Sequence, residues 1–163
     1  MTSVEFLAMV AQLSVSILGF SGIVIAVGSR ASGDLSAIDR VRLLGLLTES
    51  LIPLVIALVV MIVLTTATQG HGIWSACSAV YSAIVPVMFA VRLRHAFRTA
   101  GAEFTGRPLW VYVPVFIAIV LLQMLNAVCF DEFWPFAIAL ILHLVTSLVL
   151  FVRLLLDGFT RAA

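Results

Sequence analysis

Charge is what this sequence has least of. Asp, Glu, Lys and Arg make up 10% of its 163 residues, against roughly 25% in a soluble domain. None occurs from Phe6 to Ser29, Ser50 to Val91, Pro108 to Phe130, or Phe133 to Val152. With 63% hydrophobic residues, the chain lacks the polar surface that would cover a water-soluble core. A soluble helical protein is thereby set aside. Chemical motifs are missing too. The sequence has no HExxH or other metal-ligand spacing, no phosphate-binding loop and no Gly-x-Ser-x-Gly elbow. No enzyme activity, metal or cofactor is therefore expected. No basic run or aromatic-basic pattern points to nucleic acid, and the formal net charge is only +1. Cysteine is scarce: Cys77 and Cys129 read as two free, small apolar residues rather than a disulfide.

What is present is length of apolar run. A spanning helix needs ~20 mostly apolar residues to cross ~30 Å of hydrocarbon. The 50–91 run is broken by Gln69-Gly70-His71-Gly72 and so holds two spans. The expected fold is all-α: a polytopic membrane helical bundle, one transmembrane domain over 1–163, with helices at about 4–28, 41–66, 73–92, 109–130 and 134–155. The first segment has Glu5 and no positive n-region, so it is expected to be a helix rather than a cleaved leader. Punctuation agrees. Ser32-Gly33-Asp34 breaks after helix 1, Ser36 or Asp39 can cap helix 2, and Gly70 and Gly72 suit a tight turn. Pro108 and Pro135 fall where a first-turn proline is tolerated. Pro53 and Pro86 lie deep in helices 2 and 3 as candidate kinks. Asp131-Glu132-Phe133 is so short a joint that helices 4 and 5 must form an antiparallel hairpin.

All nine basic residues are arginines on alternate junctions. Arg30, Arg40 and Arg42 join helices 1 and 2. Arg92, Arg94, Arg98 and Arg107 join helices 3 and 4, and Arg153 and Arg161 end the chain. The positive-inside rule then predicts N-terminus out, C-terminus in and five crossings. Trp74, Tyr112 and Trp134 fall near helix ends, as interfacial anchors should.

Polar residues within the spans are the functional candidates. On helix 1, Glu5, Ala8, Gln12, Ser16, Gly19, Ile23, Ala26 and Arg30 share one stripe at ~100° per residue. The opposite side is richer in Leu, Val and Ile, interrupted by Ser14 and Ser21. One reading makes the stripe a packing face, with small residues for close approach and Gln12 or Ser16 hydrogen-bonding a neighbour. The other makes it a pore lining shared by copies of helix 1, with Glu5 as an acidic outer ring and Arg30 as a basic inner ring.

Glu49 is the one acidic residue well inside a span. There an ionised acid costs about 2.5–3.5 kcal/mol, so it should be paired, protonated or facing water. Arg153, about one turn inside helix 5, matches its depth and is the expected clamp partner. The hairpin brings Gln123 and Asn126 to depths near His143, so Gln12, Glu49, Gln123, Asn126 and His143 can form one polar cluster.

Five stretches resemble small bacterial multi-pass membrane proteins of unassigned function. They are Ala11-Gln12 with Gly19-Phe20-Ser21-Gly22, Arg40-Val41-Arg42-Leu43-Leu44, Leu122-Gln123-Met124-Leu125-Asn126 and Phe151-Val152-Arg153-Leu154-Leu155. The resemblance implies a bacterial inner-membrane location and carries no chemistry. The functional expectation is a homo-oligomeric, cation-preferring channel in the lipid bilayer that passes inorganic ions. A scaffold or regulatory partner without transport, or a small proton-coupled transporter using Glu49 and His143, are the alternatives.

Overall fold

A computed structural model describes residues 1–32, 37–66, 72–100 and 108–162. These form five α-helices: α1 (Ser3–Ser32), α2 (Ala37–Thr66), α3 (Ile73–Ala100), α4 (Pro108–Leu125) and α5 (Phe133–Ala162). A π-helical turn, Asn126–Phe130, closes α4. Each helix contains a segment long and apolar enough to cross a membrane: Ser3–Ile23, Asp39–Thr66, Ile73–Thr99, Tyr112–Phe130 and Phe133–Leu156. Only 11–39% of these segments is buried within the chain. Leu, Ile and Val side chains such as Ile62, Val87 and Leu148 are left on the outside, as lipid-facing residues should be.

Most helices overrun the expected bounds. α1 extends to Ser32, α2 starts at Ala37, α3 continues to Ala100 and α5 to Ala162. Hydropathy marks where hydrocarbon ends, but a helix continues past it while its residues keep helical propensity. Arg40, Arg42, Arg92, Arg94 and Arg98 thus stand on helices, not loops. Pro108 and Pro135 occupy the first turns of α4 and α5. Pro53, Pro86 and Pro114 are interior. The Gly33-Asp34 break, the Ser36 cap, Gly70 and Arg107 lie outside the described residues, as do the side chains of Arg30 and Arg161.

The chain is built as two compact units, with α2 and α5 contributing to both. The first comprises Met1–Ile62 and Ile141–Ala163. Its α1 buries Leu7, Val10, Ala11, Ser14 and Ser21, a three-and-four spacing that makes one helical face. Its α2 buries Leu46, Glu49, Ser50, Pro53, Ala57 and Val60 at the same spacing, and α5 contributes His143 and Ser147. Small serines mark these faces. Ser14, Ser50 and Ser147 each donate to the carbonyl four residues back, at 2.8, 2.9 and 2.9 Å. They consume their own polarity locally and permit close helix approach.

The second unit, Val63–Leu140, is organised around the α4–α5 hairpin. Asp131 adopts the left-handed conformation (φ 50°) and donates its N–H to Asn126 O at 3.1 Å, closing the π turn. Its carboxylate accepts Gly72 N–H (2.6 Å) and Ser75 N–H (2.8 Å). Gly72, at φ 100°, and Ser75 are the cap and third residue of α3, so Asp131 satisfies two of its orphan amides and puts negative charge at its positive end. Ser75 Oγ in turn donates to Ala127 O. An aromatic set fills the space around fully buried Phe136. Trp74 lies 5.9 Å away and Tyr81 6.5 Å by ring centroids, while Phe89 and Phe116 stack at 4.0 Å.

Asp131→Ala should remove both caps and place a Cβ-bearing residue without a local hydrogen-bonding side chain in the left-handed region. The expected loss is about 2–4 kcal/mol. Asp131→Asn tolerates the backbone and should lose less than half of that. Denaturant unfolding in mixed micelles checks the order, and equal losses would remove the capping argument.

Candidate functional site

Glu49 and His143 in the first unit, and Gln123 and Asn126 in the second, each belong to a hydrogen-bonded set of their own unit, and the polar stripe of α1 is exposed on the chain.

In the first unit, Glu49 of α2 and His143 of α5 meet. His143 Nδ1 lies 2.5 Å from Glu49 Oε2, with both residues buried. Either Nδ1–H donates to a carboxylate, or a protonated carboxyl donates to Nδ1; one proton serves both forms. The expected Glu49–Arg153 clamp is not formed. Arg153 is exposed and makes no ion pair or hydrogen bond among the described residues. The reason is depth as well as azimuth: Glu49 is level with His143, whereas Arg153 lies ten residues, about 15 Å, farther along α5 and off the buried face that His143 and Ser147 share. Near the N-terminal end of α2, Asp39 is buried and lies 3.5 Å from Arg42.

In the second unit, Gln123, Asn126 and Ser78 are fully buried. Ser78 Oγ donates to Gln123 Oε1 (2.9 Å) and accepts from Asn126 Nδ2 (2.7 Å). Gln123 Nε2 donates to Pro135 O (2.7 Å). Asn126 also spans the hairpin, donating to Glu132 O and accepting Glu132 N–H, both at 3.0 Å. Every polar atom of the two amides is thus used, and by groups that belong to the hairpin and α3. Gln123 and Asn126 share a face because they are three residues apart. Their partners are Ser78 and backbone groups, not His143.

The α1 stripe comes out opposite to a packing face. Glu5, Ala8, Gln12, Ser16, Gly19 and Ile23 are all exposed on the chain. Ser14 and Ser21, which interrupt the apolar side in sequence, stand in the interior. Ser16 Oγ donates to Gln12 O at 2.9 Å. The Gln12 amide makes no hydrogen bond among the described residues. A Cβ placed on Gly19 or Gly22 meets nothing within 4 Å. Glu5 is engaged locally. Its Oε2 accepts Thr2 N–H (2.6 Å) while Thr2 Oγ1 accepts Glu5 N–H (3.2 Å), a reciprocal capping box. The Thr-x-x-Glu signature was legible in the sequence. The roles of Ser78, Ser75 and Asp131 were not, since they depend on partners 45 to 59 residues away.

Among the described residues no group of three or more His, Cys, Asp or Glu could hold a metal ion, and Cys77 and Cys129 are free thiols. The fold and site define an all-helical chain with five candidate membrane spans and two buried polar sets. No protein-family model matches this chain, and no curated protein or solved structure is detectably similar to it.

Proposed function

We propose that this chain is the subunit of a homo-oligomeric membrane pore that favours cations, with α1 lining the path. The observation that carries the reading is the outward polar stripe of α1. Gln12 sits nine residues into the helix, about 13 Å along its axis and so near mid-span. It has no hydrogen-bond partner among the described residues. An amide facing lipid at that depth costs several kcal/mol. Water in a shared path removes that cost, and Ser16 and Gly19 on the same stripe add little bulk to the wall. The arginine pattern supports an N-out orientation in a bacterial inner membrane. Glu5 then stands at the outer mouth, Arg30 at the inner exit, and an acidic ring gives cation preference. The reading invokes neither a cofactor nor covalent chemistry.

A scaffold or regulatory membrane protein without transport is the second reading. It is favoured by Gln123 and Asn126, whose polar atoms are all spent on holding the hairpin. A small proton-coupled transporter is the third, on the strength of the Glu49–His143 pair.

Glu5→Gln is a clean test, because glutamine can keep the capping box while the charge is lost. Reconstituted in planar bilayers, the variant should show a lower cation-to-anion permeability ratio than the parent chain. An unchanged ratio would take Glu5 out of the mechanism. Native mass measurement in lipid should find a ring of four or more subunits, and a monomer would rule out α1 as a shared lining.

A further inference from the structure

We propose that Arg94 and Arg98, on the outer face of α3, hold the phosphate of an anionic phospholipid whose acyl chain lies along the apolar stripe beside them. The inference goes beyond the pore reading and does not use it, since the surface belongs to α3 and not to α1.

Three observations carry it. The first is a continuous outward stripe. Val80, Ile84, Val87, Val91, Arg94 and Arg98 are all exposed. Their alternating four-and-three spacing keeps them within about 80° of one another at ~100° per residue. On the opposite side Ser78, Tyr81, Val85 and Ala96 are buried. One outward face therefore changes from hydrocarbon to guanidinium along its length. Arg92, about 120° round the helix from that stripe, is half-buried instead.

The second is depth. Counted from Ile73 at ~1.5 Å per residue, Arg94 stands about 32 Å along α3 and Arg98 about 38 Å. Hydrocarbon is ~30 Å thick, so both guanidinium groups reach the headgroup layer. From Val91 back to Val80 is about 16 Å, close to the depth of one leaflet. The apolar part thus matches one acyl chain, and the basic part its headgroup.

The third is charge without a counter-charge. Arg94 and Arg98 make no ion pair or hydrogen bond among the described residues. α3 itself contains no acidic residue. The described acids of the second unit, Asp131 and Glu132, belong to the hairpin at the other end of the helix, where Asp131 accepts the Gly72 and Ser75 N–H groups.

The chemistry of the pair selects the ligand. Side chains four residues apart are neighbours, with Cβ atoms about 5–6 Å from each other. Each arginine presents a planar fork of N–H donors that fits two phosphate oxygens. A zwitterionic lipid carries the same phosphate, but its ammonium is repelled by the two guanidinium groups, so an anionic headgroup is preferred. An acidic protein in water would meet the arginines alone, whereas a phospholipid covers the arginines and the valines together. The positive-inside rule places this end of α3 at the cytoplasmic leaflet, whose surface is anionic. Arg98 also lies in the last turn of α3, where positive charge suits the helix dipole. That role does not discriminate between lipids, and so it is separable by experiment.

The test uses the full chain in bilayers of equal phosphatidylglycerol and phosphatidylcholine. A photo-crosslinking benzoylphenylalanine in place of Val87, on the stripe, captures the lipid lying there, and mass spectrometry of the adducts reads its headgroup. One arginine at the headgroup layer favours an anionic lipid about fivefold, so the phosphatidylglycerol adduct should exceed the phosphatidylcholine adduct at least about fivefold. Arg94→Gln with Arg98→Gln, both at exposed positions, should bring that ratio below about twofold. Arg40→Gln with Arg153→Gln removes two exposed arginines of the first unit and should leave it unchanged. Equal capture of the two lipids by the parent chain overturns the proposal and leaves an acidic protein surface as the partner. A ratio that survives Arg94→Gln with Arg98→Gln, or falls as far in the Arg40 and Arg153 control, overturns it too. Capture of a second copy of the chain in place of lipid does the same. So does a preference abolished by inorganic phosphate but not by sodium chloride of equal ionic strength, which would make the pair a free-anion site.

Discussion

Asn126→Leu should destabilise the chain by about 3–5 kcal/mol, the largest single-residue loss expected outside the Glu49–His143 pair. Leucine is close in volume, so little of that comes from a cavity. The cost lies in the partners left behind. Asn126 holds Glu132 N–H and Glu132 O at the hairpin and donates to Ser78. Each group left unsatisfied costs about 1–3 kcal/mol; Asn126, Ser78 and Gln123 are fully buried, and the two bonds to Glu132 are part-buried. Ser78→Ala removes one node but leaves the turn intact, so it should cost about 1–2 kcal/mol, near the range of single hydrogen bonds between membrane helices. Reversible unfolding in mixed micelles, read by tryptophan fluorescence from Trp74 and Trp134 beside the hairpin, distinguishes them. If Asn126→Leu cost no more than Ser78→Ala, the amide would not be what holds α4 to α5.

The second large effect is expected from a double-mutant cycle on the first unit. His143→Leu leaves a buried acid without its imidazole partner, for which about 3–5 kcal/mol is expected. Glu49→Leu leaves a neutral imidazole, a milder fault of about 1–3 kcal/mol. The double replacement removes both polar groups and should cost clearly less than the sum, with a coupling of about 2 kcal/mol or more. Unfolding measurements on the four proteins give the coupling directly. Additive losses would mean that the 2.5 Å contact contributes little to holding α2 against α5. The cycle also complements Glu5→Gln, because a pore lined by α1 should keep its selectivity in any Glu49 or His143 variant that still assembles.

Much of the architecture was legible before any coordinates. Four charge-free runs, one broken by Gln69-Gly70-His71-Gly72, demanded five helices, because only a helix satisfies its own backbone over such lengths in hydrocarbon. Pro108 and Pro135 marked two helix starts, and Asp131-Glu132 marked the hairpin. The same runs did not predict helix ends, because α3 continues to Ala100 and α5 to Ala162, past the charge-free runs that end at Val91 and Val152. Glu49 was legible as a buried acid needing a partner, and Gln123 with Asn126 as one polar face. Their partners were not.

That division has a physical cause. Sequence by itself determined the number of spans, the alternation of arginines and which residues of a helix share a face. All three follow from helical geometry and the cost of placing charge in hydrocarbon. Only the tertiary structure decided which face of each helix turns inward. In water the apolar face is the buried one, but lipid is as apolar as leucine, and the distinction disappears. Ser14 and Ser21 therefore stand inside while Gln12 and Ser16 stand outside, although both pairs look alike in sequence. Depth counted along the sequence suggested Arg153 for Glu49, but helix packing set Glu49 level with His143, ten residues earlier on α5.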